Sequence, residues 1–147
     1  MGAYITDTEI RHVTGDDWWH RLTDRDNFGD TEVDKGTRAI SSAETEFDSY
    51  AATNYAIDEL HALAPTPEVV VDACVDLAIH ALAQMDEGHM TDAIRQKYED
   101  RIKWLVLLAK GKVKIPLPNN PDALGDALGA RQTSGPRRFT RSTMARL

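Results

Sequence analysis

Asp72, Asp76 and His80 are the residues of this chain whose types and spacing come nearest to chemistry. At i, i+4 and i+8 they fall on one face of a helix, and two carboxylates with an imidazole would supply part of a divalent-metal site. The pattern stops there. No HExxH and no second carboxylate–histidine pair completes it, and three polar residues in line opposite an apolar face are also how a solvated helix surface reads. His12, His20, His61 and His89 share no ligand spacing. Cys74 is the sole cysteine, which excludes an internal disulfide and a cysteine-based zinc site. Set among Val70, Ala73, Leu77 and Ala78, it reads as a small buried hydrophobe. No GxSxG, P-loop or GxGxxG occurs, and Gly125 and Gly129 in GDALGA lack a preceding strand and a basic phosphate partner. The sequence therefore predicts no catalytic residue, no cofactor and no metal.

A second kind of chemistry is suggested by charge. The formal net charge of −7 hides an asymmetry: residues 1–130 hold twelve Lys and Arg against all 24 acids, or −12, while Arg131, Arg137, Arg138, Arg141 and Arg146 follow with no acid. In GPRRFTR, residues 135–141, Phe139 is interleaved with Arg137, Arg138 and Arg141. Flexible arms that grip phosphates and stack on bases look like this. A body at −12 repels DNA, however, and a short basic arm suits an acidic crevice on a protein partner at least as well.

The elements that must position these residues are helical. Thr6 and Glu9 make a capping box, with Ile5, Ile10, Val13, Trp18, Trp19 and Leu22 as apolar contacts for one or two short helices. MGAYIT also carries the Met-Gly-Thr pattern of N-myristoylation, but the helix cap is the better use of Thr6. After a turn-rich TDRDNFGD, a helix is predicted from about Glu32 to Tyr55. One side carries Val33, Ile40, Ala43, Phe47, Tyr50, Ala51 and Asn54, and its polar side holds Asp34, Arg38, Glu44 and Asp48. Thr66 and Pro67 form an N-cap and N1 pair opening a central helix through VVVDACVDLAIHALAQM, with Met85 on its apolar face and Gly88 closing it. A last helix runs from the Thr91 cap to Lys110 and Gly111. Its core stripe is Ile94, Tyr98, Ile102, Leu105 and Ala109, with Glu99 and Lys103 as an exposed i,i+4 pair.

Trp104, Leu107 and Leu108 form a second apolar strip on that helix, which suggests burial on two sides, one against a neighbour. Beyond Gly111, Lys112, Val113, Lys114 and Ile115 alternate at period two until Pro116 ends any ladder, so a short extended β-arm is expected. From Pro116 the chain is rich in Pro, Gly, Asn, Ser and Thr. No run approaches a membrane span, and no signal peptide is legible. The reading is all-α: a bundle of four to five helices with a β-arm over residues 1–115, and a long basic C-terminal tail over 116–147.

One stretch also carries a resemblance. KYEDRIKWLVLLAKGKVKIPL, residues 97–117, resembles the tyrosine, acidic pair, Ile-Lys-Trp-Leu core and helix-ending KGK of the small head-tail connector, or neck, proteins of Mu-like tailed bacteriophages. SSAETEFDSYAATNY, PEVVVDACVDLAIHAL and RRFTRSTM are similar to further segments of that family. The resemblance implies a structural virion protein in the head-tail neck, assembled in the host cytoplasm, with no enzymatic activity. It further implies a homo-oligomeric ring, typically of twelve subunits, beneath the portal protein and above a tail-side neck or tail terminator protein. Genomic DNA would pass through without specific binding, and no membrane would be involved. Arg137, Arg138, Phe139 and Arg141 become candidates for portal contact, and Trp104, Val113 and Ile115 for the subunit interface. The rival from another class is a DNA-binding packaging or regulatory protein that uses the basic tail.

Overall fold

The computed structural model describes residues 2–23, 33–85 and 89–117. Six helices lie among them: α1 (Asp7–Thr14), α2 (Asp16–Thr23), α3 (Val33–Ala51), α4 (Ile57–His61), α5 (Glu68–Met85) and α6 (Asp92–Ala109), with no strand among the described residues. Contacts divide the chain into Met1–Ile115 and Pro116–Leu147. Gly15, at φ +84°, divides the N-terminal segment into the two short helices allowed for, and the described count exceeds four to five only because IDELH, between the two long predicted helices, winds one more short helix.

The centre is α5. Val70, Ala73, Cys74, Ala78 and Ala83 are fully buried, and their small volumes let α3 and α6 approach closely from two sides. Val75 and Ile79 are buried as well, because α1 packs on a third side. Met85, predicted on the apolar face, is instead 42% exposed in the last turn. The first intrahelical bonds run to the Pro67 carbonyl from Val70 N at 2.9 Å and Val71 N at 3.2 Å, so the helix opens at the predicted place but with Pro67, not Thr66, in the capping position, one residue later than expected. α3 presents Ile40, Ala43, Phe47 and Ala51 inward as its periodicity predicts and adds Ala39, but Tyr50 is only half-buried, and the helix ends at Ala51, earlier than expected, which leaves Asn54 exposed. Near the start of α3, Gly36 leaves room for the ring of Trp19. A Cβ there would stand 2.7 Å from Trp19 Cη2, so this glycine is what lets α2 lie against α3.

The Thr6–Glu9 capping box forms: Thr6 N donates to Glu9 Oε2 at 2.8 Å, and the Thr6 hydroxyl bonds the same carboxylate. Thr91 likewise caps α6, accepting from Ile94 N at 3.3 Å. The far end of α6 is closed by a Schellman turn, with Gly111 at φ +68°, Gly111 N donating to Leu108 O and Lys112 N to Leu107 O, both at 2.9 Å. Asn54, just past α3, donates from Nδ2 to Leu108 O and Ala109 O, both at 2.8 Å. A residue more than fifty positions away thus supplies the Ala109 carbonyl with a donor and gives Leu108 O, which already accepts from Gly111 N, a second. The turn-rich segment at residues 24–30 and the closing role of Gly88 fall outside the described residues.

Candidate interaction surface

The polar line on α5 is disassembled by its neighbours. Asp76 accepts from Arg101 Nη2 at 2.6 Å and Nε at 3.1 Å, a charge-assisted pair with both side chains less than a quarter exposed. His80 stacks on Tyr98 with ring centroids 3.7 Å apart and planes 10° from parallel. Burial lowers its pKa, with Glu46 opposing and Arg95 adding to the effect. Asp72 stays exposed. Among the described residues no group of three or more His, Cys, Asp or Glu is placed to hold a metal. Cys74 lies in the core, where burial pushes its thiol well above the ordinary range, with Glu44 and Asp48 adding to the shift.

Tyr98 also donates its hydroxyl to Glu46 Oε1 at 2.9 Å. Burial, then that bond and the carboxylate's charge, push the phenol up to about 12. The sign follows: the folded state holds this proton more tightly than the unfolded chain, so stability falls as pH rises from the ordinary phenol value of about 10 through about 12. In Tyr98→Phe, unfolding free energy plotted against pH should descend less steeply across that interval. An unchanged slope would show that Tyr98 does not carry it.

Two acids predicted on the solvent side of α3 face inward. Glu44 Oε1 accepts from Tyr4 N at 2.7 Å and Ile5 N at 3.2 Å, while Asp48 accepts from the Tyr4 hydroxyl at 2.6 Å and pairs with His61 Nε2 at 3.0 Å. Tyr4 packs edge-on against both Phe47 and His61, with centroids 5.2 and 4.9 Å away. These residues latch the N-terminal segment and α4 to α3. Their sequence signal is weak: Glu44 and Asp48 flank Phe47, but what they bind is 39 to 44 residues upstream and, for Asp48, also 13 residues downstream.

The C-terminal expectations need correction. Lys112, Val113, Lys114 and Ile115 do alternate in burial but form no ladder. Ile115 is 1% exposed and donates its N–H to the Tyr55 hydroxyl at 2.8 Å, so it is anchored in its own chain and is withdrawn as a subunit-interface residue. Val113 is half exposed. The second strip on α6 also divides: Leu108 is wholly buried and belongs to the core, Leu107 is 39% exposed, and Trp104 is half exposed with the Arg101 guanidinium 5.8 Å from its ring centroid. Lys103 pairs with Asp100 Oδ1 at 2.9 Å rather than forming the predicted pair with Glu99. Arg137, Arg138, Phe139 and Arg141 lie outside the described residues.

What remains is a surface for contact. A groove of about 200 Å³ runs where the α1–α2 corner meets α5 and α6, walled by Val13, Trp18, Ile79, Ala93 and Ile94. It continues into a charged stretch with Asp72, Asp76, Lys97, Asp100 and Arg101. The family described as Bacteriophage Mu, Gp36 matches residues 4–132. The chain belongs to that family. It is thus a Mu-like phage protein, and membership points to a structural or morphogenesis role. No curated protein and no solved structure is significantly similar to it. No helix among the described residues is long and apolar enough to cross a membrane.

Proposed function

We propose that this member of the family is a head-tail connector: a non-enzymatic adaptor that needs no cofactor and assembles into a ring, of twelve subunits as in the proteins it resembles, at the virion neck. Its partners would be the portal protein on one side and a tail-side neck or tail terminator protein on the other. The observation that carries this reading is the family match, which runs through the helical unit and into the tail as far as residue 132. The geometry is in keeping with it, since the conspicuous polar residues of α5 and α6 are engaged in packing, while apolar surface is left at Val13, Trp104 and Leu107. An acidic body also suits a channel wall along which DNA slides, because carboxylate and phosphate repel. Specific DNA contact is not part of the proposal.

The rival is a DNA-binding packaging or regulatory protein, favoured by five arginines and no acid in the last seventeen residues. Two measurements separate them. Full-length protein mixed with purified portal should add a ring seen by electron microscopy and native mass, and it should give no salt-sensitive shift of duplex DNA. A shift that disappears when residues 116–147 are deleted, with no addition to portal, would replace the connector by the rival.

A further inference from the structure

One flank of α6 carries a row that the core does not use. Ala93, Lys97, Asp100, Trp104 and Leu107 recur at three- or four-residue spacing and so lie along one side of the helix. At its N-terminal end this row borders the apolar groove, where Val13 is 56% exposed and Trp18 half exposed above Ile79 and Ile94. At the other end, about 20 Å along the axis, exposed Leu107 and partly exposed Trp104 form a second apolar patch, the ridge. Groove and ridge are different patches of one molecule.

Their charges are opposite. Among the charged residues of the groove and its continuation Asp72, Asp76 and Asp100 outnumber Lys97 and Arg101; Asp76 is paired with Arg101 and Asp100 with Lys103, which leaves Asp72 as the unpaired acid there. Around Leu107, Lys110 stands at i+3 and Lys112 follows, Lys103 at i−4 is paired with Asp100, and no acid lies between residues 103 and 112. A lysine-flanked apolar ridge is complementary in sign to an aspartate-bordered apolar groove.

The geometry points to a second copy of this chain as the occupant: the Trp104–Leu107 ridge of one subunit seats in the Val13–Trp18–Ile94 groove of the next. This deepens the connector reading and rests on it. Because the two surfaces differ, the contact is heterologous, leaving a ridge and a groove open after each addition, and it closes into a ring only when the rotation per subunit allows. Apolar burial supplies the attraction, and the charges fix which end enters which surface.

The test uses full-length protein carrying Ala93→Cys and Leu107→Cys, treated at high concentration with a short bis-maleimide. Both positions are exposed, while Cys74 is wholly buried and so shielded from the reagent. The double variant should give a ladder of dimer, trimer and higher species, and each single variant alone should not cross-link. A double variant that stays monomeric, one that stops at dimer, or single variants that cross-link to themselves would overturn the inference. Leu107→Glu, an exposed change that leaves far-UV circular dichroism unaltered, should weaken self-association at least tenfold by sedimentation. If Leu107→Glu still adds a normal ring to portal, this contact is wrong and the connector reading survives. If the ladder forms but the unmodified protein never adds to portal, the connector reading fails and the self-contact stands.

Discussion

Phe47→Ala should lower the unfolding free energy by about 3–5 kcal/mol, a large share of the 5–15 kcal/mol that holds an ordinary domain together. Phe47 is 0% exposed and is the largest fully buried side chain among the described residues, so its removal combines lost burial with a cavity. The consequence extends beyond the core, because Tyr4 leans on the Phe47 ring edge while its hydroxyl and backbone N–H bind Asp48 and Glu44. Loss of the ring should therefore also loosen the N-terminal latch. Urea denaturation would give the energy, and amide exchange should show α1 protection falling by more than that of the last turn of α6. A loss below about 1 kcal/mol would mean that neighbouring side chains collapse into the space.

Arg101→Leu should cost about 1–3 kcal/mol by leaving a partly buried carboxylate without its partner. Asp76 and Arg101 side chains are 16% and 22% exposed, so solvent screens this pair less than it screens Arg95 with Asp92, at 58% and 102%. The double change Asp76→Leu with Arg101→Leu should recover most of the loss, since two apolar groups of similar size leave no orphan charge. The cycle reads the coupling directly, in denaturant midpoints. Arg101 also lies over Trp104, so its removal should alter tryptophan fluorescence in the folded state. Additive single and double changes would show that Asp76 and Arg101 do not act as a pair, and would reopen Asp76 for a role such as metal ligation.

Much of the fold was legible because it is written in local terms. A capping box needs two residues three apart, a Schellman turn needs one glycine that accepts φ +68°, and the core faces of α3 and α5 follow from helical periodicity. Periodicity failed where a side chain's partner is distant. Glu44 and Asp48 have solvent-side types, yet the Tyr4 segment closes over them. Leu108 was placed on an outer strip, yet it sits wholly in the core, on the helix turn that Asn54 caps. The alternation through Ile115 suggests an extended β-arm, because alternation cannot tell a strand awaiting a neighbour from one residue pinned by the hydroxyl of Tyr55.

The sequence by itself determined the helical class, the caps, the acidic body and basic tail, and the family, since each of these depends on residue type and near-neighbour order. Only the tertiary structure decided what the chemically suggestive residues do. Asp76 and His80 have types and spacing compatible with metal binding, but Arg101 and Tyr98 reach them from α6, 25 and 18 positions away, and hold them in a salt bridge and a ring stack. The physical reason is that a side chain's chemistry is set by the groups within a few ångströms of it. Those groups are chosen by how the helices pack, which local spacing does not encode.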